Sequence, residues 1–274
     1  MSVDQNEKAV RFRALHDGPG TFVIPNPWDT ISARLLAGLG FQALATSSAA
    51  SSAALGRRDG QLSRDEALMH ARSVVDATDL PVSADLENGF GDAPEVVAET
   101  VRLAAEVGLA GCTIEDATGN HDSPLYDLPL AVERIAAAAE AAHALKFPFM
   151  LTARAHNFLY PAASLDDTIS RLQAFEKAGA DVLFAPGLPD LAAVRAVCAA
   201  LSKPFNFMVG IPGKSFSVDE LAAAGVRRIS LATSLYRAAV TGLLNAASEV
   251  KDKGQFSFLD RSLTTHDLNK LMGI

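Results

Sequence analysis

Eight short apolar segments, 21–25, 42–46, 81–85, 111–115, 148–153, 181–185, 204–209 and 227–231, recur along the chain with longer Ala/Leu/Glu/Arg stretches of helical period between them. Each segment reads as a strand and each stretch as the helix that follows it. Parallel strands joined through helices bury both faces of a sheet, and eight such units are the number that closes on itself. No second composition regime and no Pro/Gly/Ser linker interrupts the series. The chain is therefore expected to form a (β/α)8 barrel of the TIM type, one domain spanning 1–274. An open doubly wound sheet is the alternative, and neither a GxGxxG nor a GxxxxGK[ST] stretch supports it.

Glycine punctuates the repeat where each helix must hand over to the next strand. Gly38-Leu-Gly40, Val107-Gly108, Ala178-Gly-Ala-Asp181 and Ala224-Gly-Val226 all stand at such exits. Ahead of the first strand, Asn6–His16 has the spacing of an amphipathic helix and is expected to cover one end of the fold. Behind the eighth unit, 246–274 reads as a C-terminal helical extension whose apolar residues, Phe256-Ser-Phe-Leu and those from Leu263 to Met272, pack on a neighbouring surface such as another subunit.

Polar residues close several of the apolar segments: Thr46-Ser47, Asp85, Glu115, Arg154 and, within its segment, Asn206. In a parallel barrel these converge on the rim at the strand C-termini, where such enzymes place their chemistry. Two loops there are long. Residues 47–62 are small and flexible before ending in charges, and 116–128 reads as a mobile polar lid able to exclude water.

The formal net charge of −8, with no segment that gathers Lys and Arg, excludes a nucleic-acid footprint. A small anionic substrate stays open, because a few placed arginines and a metal ion reverse the local field. The 2 cysteines, Cys112 and Cys198, sit in apolar segments and read as buried small hydrophobes. The polar N-terminal run from Met1 to Lys8, and the lack of an apolar run near the roughly 20 residues that cross a bilayer, give no membrane association and a cytoplasmic location as the expectation.

Asp85-Leu-Glu87-Asn-Gly-Phe-Gly-Asp92 sets two carboxylates at i and i+2 on a strand end, followed by glycines that permit a tight turn. Such a pair suits a hard cation that keeps several waters, Mg2+ with Mn2+ as the alternative. The same acids could instead cap the helix that begins at Pro94. Glu115 closes the next strand and is placed to act on the cation or on a neighbouring group; Asp116 could be a solvated loop residue. Arg154 offers a planar fork to a substrate carboxylate, or an ion pair with Glu115 or Asp85. Ser47 and Ser48 could hold a carboxylate or oxyanion, and the long loop could bring Asp59 toward the centre unless it pairs with Arg57 or Arg58. His121 is a candidate proton carrier on the lid, and His156, two residues past Arg154, shares its side of the strand end. Trp28 reads as packing that closes the first unit, with Asp29 at the start of the helix after it.

The stretches Pro27-Trp-Asp-Thr-Ile-Ser-Ala-Arg34, Leu55-Gly-Arg-Arg-Asp59, Pro81-Val-Ser-Ala-Asp-Leu-Glu-Asn-Gly-Phe-Gly91, Thr113-Ile-Glu-Asp116, Ala153-Arg154 and Ala178-Gly-Ala-Asp181 together resemble the isocitrate lyase/phosphoenolpyruvate mutase superfamily. The resemblance runs in order from about residue 21 to 240. It implies a (β/α)8 barrel that exchanges its last helix between subunits of a dimer or tetramer. It also implies Mg2+-assisted making or breaking of a C–C or P–C bond next to a 2-oxo acid, through an enolate-like intermediate. By the same resemblance Asp85 is the direct metal ligand, with Glu87 and Glu115 acting through coordinated water. Ser47, Ser48 and Ala49 match the segment that holds the substrate carboxylate and keto oxygens, Arg154 binds the same end, and Asp59 lies near the reacting group. Asn206 joins them as a substrate-facing residue of the rim.

The chain departs from the pattern at the reacting end. The lid reads Thr118-Gly-Asn-His-Asp-Ser-Pro-Leu-Tyr126, without the Cys-containing loop of isocitrate and methylisocitrate lyases and without the Asn-Ser-Leu segment of the phosphonate enzymes. Glu87 replaces the commoner Asp, His156 replaces Asp, and Ala185-Pro186 lacks the lyase Glu. The expectation is a Mg2+-dependent lyase or hydrolase of a small 2-oxo or 2-hydroxy carboxylate. A phosphonopyruvate-type mutase or hydrolase, or a 2-oxo acid binding protein without catalysis, are the competing readings.

Overall fold

The computed structural model describes residues 3–161 and 164–274; Met1 and Ser2, which open the polar N-terminal run, lie outside them. In chain order the elements are α1 (Gln5–Asp17), β1 (Phe22–Ile24), α2 (Thr30–Gly38), β2 (Leu44–Ala45), α3 (Ser48–Ala54), α4 (Arg64–Asp76), β3 (Val82–Asp85), α5 (Pro94–Glu106), β4 (Gly111–Glu115), α6 (Leu128–His143) and β5 (Met150–Arg154). There follow α7 (Leu165–Lys177), β6 (Val182–Phe184), α8 (Leu191–Ala200), β7 (Phe205–Met208), α9 (Val218–Ala223), β8 (Arg228–Ser230), α10 (Ser234–Lys253) and α11 (Thr265–Met272). Every strand lies where the apolar segments put it, shifted by at most 2 residues at either end. The glycines at the helix exits do what the handover requires: Gly40, Gly108, Gly179 and Gly225 all adopt φ between 90° and 107°.

The strands form one parallel sheet in the order β1-β8-β7-β6-β5-β4-β3-β2. The seam between β2 and β1 is closed by the Ala45 N–H donating to the Pro25 carbonyl at 3.1 Å. The buried Asn26 side chain completes it, donating to the Thr46 carbonyl at 3.0 Å and accepting the Leu231 N–H at 2.8 Å. One amide thus ties the ends of β1, β2 and β8 into a nearly closed barrel, the TIM-type fold.

The first helix seals the barrel floor. Its Ala9 and Phe12 pack with Ile24, Ala43, Ala110, Met150 and Val182 in a small core separate from the main one. Phe12 reaches that depth because residue 111 is glycine: a Cβ there would stand 3.1 Å from the Phe12 ring and 2.5 Å from the Met150 carbonyl oxygen. Sealing the floor leaves the rim at the strand C-termini as the open end.

Two loop expectations are corrected. Residues 47–62 are not a flexible loop throughout, because 48–54 is the helix α3, N-capped by Ser47. Alanine's helix propensity outweighs the local competition of the serines once one serine takes the cap. The 116–128 lid is a short hairpin: an Ala117–Leu125 antiparallel bridge, with Thr118 N–H on the Pro124 carbonyl at 3.0 Å and Tyr126 N–H on the Asp116 carbonyl at 3.0 Å, carries an exposed tip at 119–123.

Helix α10, 20 residues from Ser234 to Lys253, runs unbroken past Asn245 and buries none of them. Beyond it α11 folds back on α2, where Gly38 has no Cβ to collide with the Leu271 carbonyl. Leu243, Leu244, Phe256, Leu259 and Leu263 stay exposed along this arm. Among the described residues no helix is long and apolar enough to cross a membrane.

Candidate active site

Two cavities open above one another at the strand C-termini. The inner one, about 190 Å³, is walled by Ser47, Ser48, Ala49, Asp85, Asn206 and Arg228 among others. The outer one, about 530 Å³, includes Glu87, Glu115, His121, His156 and Tyr160 in its wall. Ser48, Asp59 and Arg154 line both and form the waist. All the expected site residues are therefore brought to one place, with His121 exposed on the lid tip at the outer rim and Asn206 buried at the inner end.

Asp85 ends β3 and accepts the Ser48 N–H at 3.1 Å on one oxygen and the Glu87 N–H at 3.3 Å on the other. It makes no ion pair among the described residues. The helix that follows does not use these acids as caps: Ala93 occupies the cap position of α5 with no side-chain hydrogen bond, and Pro94 starts the helix. Glu87 sits in the left-handed region at φ 51°, a conformation costing about 1–3 kcal/mol in a non-glycine residue. The Glu115 N–H, donated to the Glu87 carbonyl at 2.9 Å, holds it there.

Crowding of like charge shapes the electrostatics. Burial, then the charges of Glu115 and Asp59, raise the Asp85 carboxyl above its ordinary value, although Arg154 opposes them. Glu87 is pushed up to about 8 by burial, then by Asp85, Asp59 and Glu115. Burial would raise Glu115 too, but Arg154 and His156 outweigh it and hold that carboxyl below the usual range. Arg154 Nη1 stands 3.1 Å from Glu115 Oε2, both side chains 12% exposed, and His156 Nδ1 stands 3.2 Å from the same oxygen. Arg154 Nε is buried without an acceptor. Its guanidinium also lies 5.0 Å from the centre of the Phe184 ring.

These carboxylates fit a divalent cation. Glu115 has Arg154 and His156 beside it, but Asp85 and Glu87 repel one another without an ion pair among the described residues, a partner that a cation would supply. Among the described residues no three His, Cys, Asp or Glu side chains converge as a complete cage. A hard divalent cation held by only one or two carboxylates would keep its other positions for water and substrate oxygens.

In metal-free protein the raised Glu87 carboxyl has a testable consequence. A carboxyl whose folded value lies above its unfolded value costs stability once ionised, so this contribution worsens as pH climbs from about 4.5 to about 8. With a chelator present, Glu87→Gln should unfold at nearly the wild-type temperature at pH 5 and at a higher one at pH 8.5. Equal melting temperatures at both pH values would refute the charge crowding.

Asp116 corrects one expectation: it is not a solvated loop residue but 2% exposed. It accepts the His156 N–H at 2.8 Å and the Arg171 Nη1 at 3.1 Å, so it anchors the strand end that carries Arg154. The lid base is latched to the loop after β3 through Tyr126, whose hydroxyl donates to Asp92 at 2.5 Å and accepts from Asn88 at 3.2 Å. Trp28 packs edge-on against Tyr236, and Asp29 is the N-cap of α2. Cys112 is buried and Cys198 half-buried, both free thiols. Sequence reasoning passed over Tyr160 and Arg228; a tyrosine in a loop gives no signal, while a second arginine inside the eighth strand segment does.

Comparison with known proteins agrees with this geometry. A family model described as phosphoenolpyruvate phosphomutase matches residues 12–251. An oxaloacetate decarboxylase of Bradyrhizobium diazoefficiens is 34% identical over 224 residues, covering 79% of this chain and 76% of the relative. The crystal structure of a Burkholderia cenocepacia protein put forward as a lyase or mutase superimposes with a TM-score of 0.96 at 52% identity, covering 98% of both chains. An oxaloacetate acetylhydrolase bound to its product oxalate superimposes with a TM-score of 0.89 at 25% identity, covering 100% of this chain and 96% of the other.

Proposed function

We propose, for a chain that belongs to the phosphoenolpyruvate phosphomutase family and so to the isocitrate lyase/phosphoenolpyruvate mutase superfamily, a Mg2+-dependent cleavage of the C–C bond beside a 2-oxo or 2-hydroxy carboxylate. The chain is an enzyme of a family of carbon–carbon lyases and mutases. The observation that carries the finer reading is the buried, acceptor-less Nε of Arg154 at the waist, in the same site as Asp85 and Glu87, which have no ion pair among the described residues. A buried donor left unpaired costs about 1–3 kcal/mol, and a substrate carboxylate satisfies it. The names of the similar proteins, for oxaloacetate decarboxylation and for release of oxalate, belong to small 2-oxo acids of the size the inner cavity admits.

In this reading Asp85 would hold the cation, with Glu87 and Glu115 at the edge of its shell. The cation supplies a Lewis acid that stabilises negative charge developing on the keto oxygen. Arg154 fixes the substrate carboxylate through Nε while Nη1 stays on Glu115, so orientation is set before reaction. Ser47, Ser48 and Ala49 form the wall against the oxygens of the same end. The lid tip excludes water from the outer cavity, where the leaving fragment lies near His121 and Tyr160. Burial, then the Glu115 charge, raise the Tyr160 phenol, so it stays protonated and can give its Oη proton to a carbanion. The exposed apolar residues of α10 and the arm beyond it support packing against a second copy, and so a homo-oligomer.

Turnover tests the reading. Purified protein with Mg2+ should cleave at least one member of a panel of 2-oxo and 2-hydroxy di- and tricarboxylates, and chelation should stop it. Phosphonopyruvate turnover seen by phosphorus NMR would replace C–C by P–C chemistry, and tight oxalate binding without turnover of any panel member would make the protein a binder.

A further inference from the structure

We propose that Arg228, a cation built into the barrel floor beneath the inner cavity, acts as an electrostatic positioning residue that makes the site prefer doubly charged over singly charged small acids. The inference deepens the reading of a carboxylate-binding site and rests on it.

Arg228 starts β8, paired in register with Asn206 of β7 and Phe22 of β1. Its side chain is 4% exposed and lines the inner cavity together with Asp85, Arg154 and Asn206. A guanidinium at that depth normally has a carboxylate against it, because an unpaired buried charge is costly. Arg228 has none among the described residues; its partners are all neutral. Nε donates to Asn206 Oδ1 at 2.8 Å and Nη2 to Thr152 Oγ1 at 3.0 Å. Nη1 faces His16 Nε2 at 3.4 Å.

The floor helix is arranged to keep that third partner neutral. His16 Nδ1 lies 2.8 Å from the Phe12 carbonyl, which can only accept, so Nδ1 carries the proton and Nε2 presents its lone pair to Arg228. Burial, then the Arg228 charge, push the His16 imidazole down to about 3, so it does not add a second cation. Burial alone lowers the guanidinium itself, to about 9. Neutral acceptors thus solvate the charge without cancelling it, and its field reaches the cavity above through a medium that screens it poorly.

The Asn206 contact adds direction. Because Nε–H takes Oδ1, the amide must turn its Nδ2 outward, where it donates to Ser230 Oγ at 3.1 Å. Both Asn206 and Ser230 line the cavity. The floor therefore offers an anion a positive field and an amide fixed in its donor orientation. Arg154 reads the substrate at the waist; Arg228 acts from below through charge.

The test compares oxalate with oxamate, a near-isosteric pair that differs by one unit of charge. Calorimetry on the full chain with saturating Mg2+ gives the ratio of their dissociation constants. Arg228→Met and Arg228→Gln remove the charge, the glutamine keeping an amide donor for Asn206 and Thr152, and Arg228→Lys keeps it. The wild-type preference for oxalate should fall at least tenfold in the neutral variants and return at least in part in the lysine variant. A purely structural role would weaken both ligands equally, so an unchanged ratio overturns the proposal. Loss of cooperative unfolding in both neutral variants, with a lysine variant that folds but has the ratio of a neutral site, overturns it as well. If the wild-type protein binds neither ligand, the carboxylate-binding reading itself fails, and the two failures are told apart.

Discussion

Asp85→Ala is expected to abolish divalent-cation binding and to lower kcat/KM by at least about 10³-fold, the factor that about 4 kcal/mol of lost charge stabilisation gives. Asp85 lines the inner cavity below the waist, and its contacts, the Ser48 and Glu87 N–H groups, include no ion pair with a protein cation among the described residues. The variant should fold. Its carboxyl is raised by burial and by Glu115 and Asp59, so in metal-free protein at neutral pH the ionised group is a burden. Asp85→Asn, which keeps the shape and an acceptor for Ser48, should therefore melt no lower than the wild type in the presence of a chelator. Added Mg2+ should stabilise the wild type and leave both variants unchanged. A variant that keeps its Mg2+-induced shift would move the metal site elsewhere.

Arg154→Met is expected to damage stability and binding together. Glu115 would keep only His156 as a nearby positive or polarisable partner, and breaking a buried ion pair from one side costs about 3–5 kcal/mol. In a chain of this size that lowers the melting temperature by about 10 °C. Affinity for oxalate should fall at least about 10²-fold, since the fork that meets the carboxylate is gone. Adding Glu115→Gln to the same chain should recover most of the melting temperature, because the stranded charge is removed, and none of the affinity. Recovery of both by the double variant would show that Arg154 serves only to neutralise Glu115.

Most of the scaffold was legible because its signals are local. A strand is a handful of neighbouring apolar residues, and a helix exit is one glycine with positive φ, as at Gly108 and Gly179. The rim followed from that, since Asp85, Glu115 and Arg154 each terminate their own strand. What escaped depends on partners far apart along the chain. Arg228 takes its meaning from Asn206, Thr152 and His16, which lie 22, 76 and 212 residues away. Asp116 looks like a loop acid until Arg171, 55 residues on, is folded against it. The helix at 48–54 was hidden by a different conflict: serine favours caps and turns, alanine favours helix, and only the Ser47 cap decides between them.

In the proposed function the strand ends form a cation-dependent platform for the carboxylate and adjoining oxygen of a small acid. Its most direct test is a calorimetric titration of oxalate into the wild-type protein, once with saturating Mg2+ and once with the divalent cations removed. Saturable one-to-one binding is expected with Mg2+, weakening at least about tenfold without it. Equal affinity in the two titrations, or no binding in either, would contradict it.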